Sequence, residues 1–413
     1  MTQPRTTVLI TLTGRDRPGV TSRLFGVLGR FPLAVIDIEQ VVILGRLVLG
    51  VLASGPPADE TAGEPDAVPG AELDLTGIHR SVTALAASLG LEAEITTGFA
   101  AAAATTPADP GLHVTVIGNP LLPAALSAIT GRIAANGANI DRISRLASDP
   151  VTCIELEVSG ASPQALRNDL AREAAERGVD VAVQRGGLYR RAMRLLVMDV
   201  DSTLIQDEVI DLLAARAGCA GAVAKVTAAA MRGDLDFSAS LRERVALLAG
   251  LDESVLAAVR ADLRLTPGAR TLIRTLKRLG YKCAIVSGGF TAVIEPLAQE
   301  LGIDYVAANT LEITDGKLTG RVIDPIIDKD GKTEALRRFA AMAGVPLSQT
   351  VAVGDGANDL GMIGAAGLGV AFNAKPIVRD QADTALNVPY LDAILYLLGI
   401  SKDAVQRADL AGA

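Results

Sequence analysis

At 413 residues the chain is longer than one typical hydrophobic core requires, so two or three domains are expected. A formal net charge of -8 repels nucleic-acid phosphates and anionic lipid, and aromatics at 3% leave little to stack bases on, so neither nucleic acid nor membrane is an expected partner. Cys153, Cys219 and Cys283 form no CxxC pair, the run Val41 to Ala53 is broken by Arg46 and too short to span a bilayer, and Val8 to Leu12 is too short for a signal-peptide core, so a soluble cytoplasmic protein with a small-molecule ligand is expected.

Hydrophobic periodicity predicts strand Thr6 to Thr13, helix Gly19 to Arg30, strands Ala34 to Leu44 and Leu47 to Ala53, helix Thr76 to Leu89 and strand Leu91 to Thr96, a βαββαβ order. The Pro-, Gly- and acid-rich stretch Ser54 to Gly70 reads as a loop, and Ala100 to Pro110 as a linker. The same order then recurs as strand Leu112 to Gly118, helix Leu121 to Asn136, strands Asn139 to Ala147 and Val151 to Val158, helix Pro163 to Arg177 and strand Asp180 to Gln184. Ile36-Asp37-Ile38 and Ile140-Asp141-Arg142 occupy matching places in the second strands, as an internal repeat requires. Each copy needs only one sheet face buried, so sheets are free to pair between copies or between chains, and a homodimer is expected.

The first strand-to-helix turn, Thr13-Gly14-Arg15-Asp16-Arg17-Pro18-Gly19-Val20, resembles the ACT domain, an amino-acid-sensing module, and Gly118-Asn119-Pro120 is a weaker match in the second copy. The resemblance implies an effector site, with L-serine as its candidate occupant, at Gly14, Asp16, Pro18 and Gly19 or at Gly118 and Asn119. Helix N-terminal amides there would receive a carboxylate. Expected bounds are 1-100 and 108-186 for the two copies and 192-413 for the rest, with a helical cap at about 208-265.

From Met193 onward apolar strands alternate with helical patterns, as in an α/β domain, with strands at Met193 to Val200, Lys282 to Ser287, Tyr305 to Ala308, Thr350 to Gly354 and Leu368 to Ala371. Asp199 and Asp201 leave the end of the first strand two residues apart, where one carboxylate can attack phosphorus while its neighbour moves a proton. The two histidines, His79 and His113, both precede this domain, so a catalytic histidine or a His-ligated metal within it is excluded.

Asp199-Val200-Asp201-Ser202-Thr203, Ser287-Gly288-Gly289, Lys332 and Gly354-Asp355-Gly356-Ala357-Asn358-Asp359 occur in that order. The set resembles the haloacid-dehalogenase superfamily of aspartate-dependent phosphatases over about the C-terminal half of the chain. With Glu208, Met231, Phe237 and Arg244 it is similar, more narrowly, to the phosphoserine phosphatases among them. The resemblance implies a Rossmann-like domain with a helical cap insertion, preceded by two βαββαβ ferredoxin-like ACT domains, acting on O-phospho-L-serine at the end of serine synthesis.

It further implies Asp199 as nucleophile and Asp201 as general acid and base, with Ser287, Gly288 and Lys332 on the phosphoryl oxygens and Asn358 positioning. Glu208 and Arg244 would hold the substrate's ammonium and carboxylate, with Met231 and Phe237 closing over it. A phosphate dianion beside several carboxylates and one lysine calls for a divalent cation, and oxygen donors favour Mg²⁺, assigned to Asp199, the Asp201 carbonyl and Asp355, with Asp359 either a further ligand or directly behind them. Two other readings use the same residues: a phosphatase or phosphotransferase for another small ester, or an amino-acid sensor with an inactive C-terminal scaffold.

Overall fold

A computed structural model describes residues 5–55, 73–100, 111–187, 190, 192–232 and 234–411, with only the backbone at Arg5, Phe99, Ala100 and Met231. The expected loop beyond residue 55 and the linker 101–110 lie outside the described residues. The chain divides into two compact units, Met1–Ala108 and Asp109–Ala413.

The first unit is β1 (Arg5–Arg15), α1 (Val20–Leu28), β2 (Ala34–Ile43), β3 (Arg46–Ser54), α2 (Leu75–Leu89) and β4 (Leu91–Ala100), with antiparallel sheet order β2-β3-β1-β4. Alternation puts Val8, Ile10 and Leu12 of β1 and Leu47, Leu49 and Val51 of β3 on one face. Val20, Leu24 and Leu28 of α1, with Ile78, Val82 and Ala86 of α2, cover it at helical spacing. Asp74 caps α2 by accepting from the Gly77 amide at 2.7 Å, and Gly90 ends it in the left-handed region. Gly14 suits the point where β1 passes β4, because its φ is 153 and a Cβ there would lie 3.3 Å from Leu91 Cα. The edge strand β2 is exposed along its whole length.

The second unit opens with the repeat of this order: β5 (Leu112–Gly118), α3 (Pro123–Ala135), β6 (Asn139–Ala147), β7 (Thr152–Ser159), α4 (Pro163–Arg177) and β8 (Asp180–Arg185). It continues through β9 (Leu195–Met198) and four helices, α5 (Val209–Arg216), α6 (Ala220–Met231), α7 (Phe237–Ala246) and α8 (Ser254–Asp262), which are the expected helical insertion. Next come α9 (Ala269–Arg278), β10 (Lys282–Phe290), α10 (Thr291–Leu301), β11 (Tyr305–Thr314), β12 (Lys317–Ile323), α11 (Lys329–Ala343) and β13 (Thr350–Gly354). The unit ends with α12 (Leu360–Ala365), β14 (Leu368–Phe372), α13 (Pro376–Arg379), β15 (Thr384–Leu386), α14 (Ile394–Leu397) and α15 (Lys402–Ala411).

One eleven-stranded sheet runs β12-β11-β10-β9-β13-β14-β15-β8-β5-β7-β6. Its parallel centre, β10-β9-β13-β14, is apolar on both faces: Leu195 and Val197, with Ala352 beside them, pack with Leu336 and Phe339 of α11, while Leu196 and Met198 join the opposite core. The repeat joins this sheet where β8 meets β15 antiparallel at Ala182 and Thr384.

Two strands escape the sequence pattern. In β12, Lys317, Thr319 and Arg321 interrupt the apolar residues, and β15 is only three residues long; neighbouring strands, not intrinsic preference, define both. The first catalytic strand is shorter than expected because the chain breaks from extended geometry after Asp199, with Ser202 at φ 57.

Candidate active site

Strand β9 is fully buried, and the Asp199 amide donates to the Val353 carbonyl of β13 at 2.9 Å, which fixes Asp199 at the carboxyl ends of two parallel strands. The turn beyond it is closed by the Ile205 amide donating to the Val200 carbonyl at 2.9 Å. Asp201 thereby lies on the same side as Asp199, its Oδ1 accepting from the Val209 amide at 2.9 Å and its Oδ2 from Ser287 Oγ at 3.3 Å.

Lys332 comes from α11, whose first turn is capped by Asp328, accepting from the Gly331 amide at 2.9 Å. Its ammonium is 1% exposed and donates to Asp199 Oδ1 at 2.7 Å and Asp359 Oδ1 at 2.6 Å. Asp359 Oδ2 accepts from the Gly356 amide at 3.0 Å, and a side chain at Gly354 would collide with Asp359 at 2.4 Å, so the Gly-Asp-Gly spacing folds the loop back on itself. Asp355 is held by Thr203, whose Oγ1 donates to Oδ1 at 3.3 Å. One carboxylate oxygen from each of Asp199, Asp355 and Asp359 lies within 4.8 Å of the others, an all-oxygen set that fits a hard divalent cation.

Burial first, then Asp359, pushes the Asp199 carboxyl well above the ordinary carboxylate range, against the pull of Lys332. Burial and the Glu208 charge raise Asp201 to about 7, and burial with Asp359 and Glu208 raises Asp355 to about 6. Burial acts to lower Lys332, but the Asp199 and Asp359 charges outweigh it and raise the ammonium above its ordinary value. Burial lowers Arg244, opposed by Asp211 and Glu208.

Asp199, Asp201, Glu208, Arg244, Lys332 and Asp355 border a cavity of about 190 Å³, with Asp359 fully buried. Strand ends supply Asp199, Asp201, Gly288, Asp355 and Asn358, α11 supplies Lys332, and the helical insertion supplies Glu208, Phe237 and Arg244. Phe237 lies over Gly288, where a Cβ would come within 3.0 Å of the ring. Ser287 is 0% exposed and sits behind the wall, its Oγ accepting from the Gly289 amide at 2.7 Å while bonding Asp201. The Met231 side chain lies outside the described residues.

Sequence reasoning quoted Gly289 and Gly356 in its motifs without a role and missed Ile210, Leu241 and Lys375 on the cavity wall. Lys375 follows the end of β14, beside β13, so the strand-end rule that located Asp199 and Asp355 also points to it. At the expected effector turn of the first unit, Asp16, Pro18 and Gly19 border a cavity of about 420 Å³ with Gln40 of β2, whose Oε1 accepts from Thr21 Oγ1 at 2.8 Å. Gly14 lies just before it, packed on Leu91. Gly118 and Asn119 form the turn of the second copy, which contains the cis Asn119-Pro120 peptide.

Comparison with known families finds a haloacid dehalogenase-like hydrolase over residues 196–363 and ACT domains over 6–95 and 111–184. The chain is 58% identical over 404 residues to a phosphoserine phosphatase of Streptomyces coelicolor, covering 98% of this chain and 94% of that one. It is 51% identical to a phosphoserine phosphatase of Mycobacterium tuberculosis, covering 98% and 96%. A solved structure of a probable phosphoserine phosphatase from Vibrio cholerae superposes with a TM-score of 0.58 at 35% identity, covering 73% of this chain and 91% of that one.

Proposed function

Since the chain belongs to the phosphoserine phosphatase family of haloacid dehalogenase-like hydrolases with paired ACT domains, we propose that it hydrolyses O-phospho-L-serine to L-serine and phosphate. The observation that carries this reading is one small cavity bordered by Asp199 and Asp201 beyond β9 and by Glu208 and Arg244 of the helical insertion. The first pair supplies phosphoryl-transfer chemistry, and the second matches the ammonium and carboxylate of an amino acid.

In the proposed reaction Asp199 attacks phosphorus, the bond from phosphorus to the serine oxygen breaks, and Asp201 gives its proton to that oxygen. Asp201 then takes a proton from water as the water attacks the aspartyl phosphate, releasing phosphate and restoring Asp199. A carboxyl raised to about 7 suits both halves of this exchange. Lys332 holds Asp199 in place, and the Gly288 region faces the phosphoryl oxygens. Ser287 acts by fixing Asp201 and the Gly289 amide. Asp199, the Asp201 carbonyl, Asp355 and Asp359 would hold Mg²⁺, which when bound offsets the negative charge shared by nucleophile and phosphate.

The domains are assigned as 1-100, 108-186 and 192-413, with the cap at about 208-265. The first ACT domain is read as the serine sensor through the turn at Asp16 to Gly19, and its bare β2 edge as the surface of a homodimer. Among the described residues no helix is long and apolar enough to cross a membrane. The cytoplasm is the proposed location of such a biosynthetic enzyme.

The deciding experiment is phosphate release from O-phospho-L-serine with and without Mg²⁺, beside a phosphomonoester lacking the α-carboxylate. Arg244→Ala is expected to lower kcat/KM for phosphoserine at least 100-fold, about the 3 kcal/mol of a lost charged pair, and to spare the other ester. Equal losses on both esters would remove Arg244 from substrate recognition.

A further inference from the structure

The catalytic cavity is bordered by the acids Asp199, Asp201, Glu208 and Asp355, with Asp359 buried behind them. Lys332 is committed to Asp199 and Asp359, and Arg244 faces the cavity from the cap. These acids outnumber Lys332 and Arg244, and the Mg²⁺ proposed above would bring the balance only near even, so a further cation at the opening favours an incoming phosphate dianion. Lys375 is exposed on the cavity wall, where no catalytic role has been given to it.

The backbone that carries Lys375 is tied at both ends. On the catalytic side its amide donates to the Asp355 carbonyl at 3.4 Å, and the Asn373 amide donates to the Leu386 carbonyl at 2.7 Å. On the far side, β15 and its flanks, which that Leu386 bond joins to the Lys375 segment across α13, are gripped by the second ACT domain. Arg167 donates to Asp383 at 3.1 Å, Thr384 pairs with Ala182, and Asp180 accepts from the Asn387 amide and side chain, both at 2.7 Å.

We propose that Lys375 recruits the substrate's phosphate at the cavity mouth, and that the second ACT domain holds it there through the Asp383 to Val388 stretch. The inference rests on the phosphatase reading but not on phosphoserine as substrate, because a lone ammonium meets the phosphate and ignores the leaving group. A flexible ammonium at the mouth acts on encounter and ground-state binding, so KM carries the effect and kcat does not.

The test is steady-state kinetics of full-length Lys375→Ala and Lys375→Arg on O-phospho-L-serine and on p-nitrophenyl phosphate, at low and high ionic strength. Lys375→Ala is expected to raise KM about tenfold on both esters at low salt, with kcat within about twofold, and the gap should close near 1 M salt, where screening acts within about 3 Å. Lys375→Arg should restore KM. An unchanged KM at low salt, a salt-independent loss, or a fall in kcat alone would overturn the assignment. Asp180→Ala should raise KM similarly and add nothing to Lys375→Ala, whereas additive losses would sever the ACT domain from Lys375. If wild type cleaves only the nitrophenyl ester, the substrate assignment fails while the Lys375 comparison is still decided on that ester.

Discussion

The two ACT domains share one element order and differ in what their sheets meet. In the first, β2 is an edge strand of apolar character, with Ile36, Ile38, Val41, Val42 and Ile43 all exposed. In the second, the matching strand β6 carries Arg142 and Arg145 beside Asp141, the counterpart of Asp37 in β2, and the opposite edge, β8, extends the catalytic sheet. A repeated fold thus acquires two uses through its edges: in the first copy the apolar β2 is left exposed, and in the second the β8 edge is stitched to the phosphatase domain.

The stitching is chemically specific. Arg190 forms a buried ion pair with Glu155 of β7 and donates to the Leu397 carbonyl at 3.1 Å and the Tyr396 carbonyl at 3.3 Å. His113 Nδ1 lies 3.4 Å from the other Glu155 oxygen. Glu155→Ala is the strongest way to break the contrast, because it leaves the Arg190 charge buried without its partner. A loss of about 3 kcal/mol in the urea unfolding of the second unit is expected, and a loss under 0.5 kcal/mol would reduce the seam to simple apposition.

The same pair sets a pH dependence. Burial pushes the Glu155 carboxyl up, but the His113 imidazole and the Arg190 guanidinium beside it outweigh that and hold the group at about 2, below its ordinary 4.5. Its contribution is therefore complete above about 4.5 and is lost as pH falls toward about 2. Acid titration of stability should be shallower across that window in Glu155→Ala than in wild type, and parallel curves would rule the linkage out.

Asp180 offers a finer cut, since it accepts from two backbone amides and one side chain across the seam. Asp180→Ala should cost about 2 kcal/mol, read by urea midpoint. The smallest thermodynamic effect belongs to the first domain. Val42→Lys on the bare edge should change protomer stability by no more than about 0.5 kcal/mol, yet convert a dimer to monomers in light scattering. A dimer that survives this charge would remove β2 from the interface.

The sequence made much of this legible. Alternation in Val8, Ile10 and Leu12 and in Leu47, Leu49 and Val51 defined the sheet face of the first domain, and the apolar run before Asp199 defined the catalytic strand. Ser287 was legible as a position but not in orientation, because the direction of its hydroxyl depends on Asp201 and Gly289, which approach only in the fold. Lys375 was overlooked because its neighbours Ala374 and Pro376 look like an ordinary turn.

Residue identity and spacing determined the local elements, the repeat and the order of the phosphoryl-transfer residues, since hydrophobic period and strand-end placement depend on neighbours a few positions apart. Tertiary structure alone decided that β8 meets β15, that Lys332 joins Asp199 to Asp359, and that a lysine beyond β14 reaches the cavity mouth. Each is a contact between segments far apart in the chain. Such contacts are selected by the packing and charge balance of the whole fold, which no local pattern encodes.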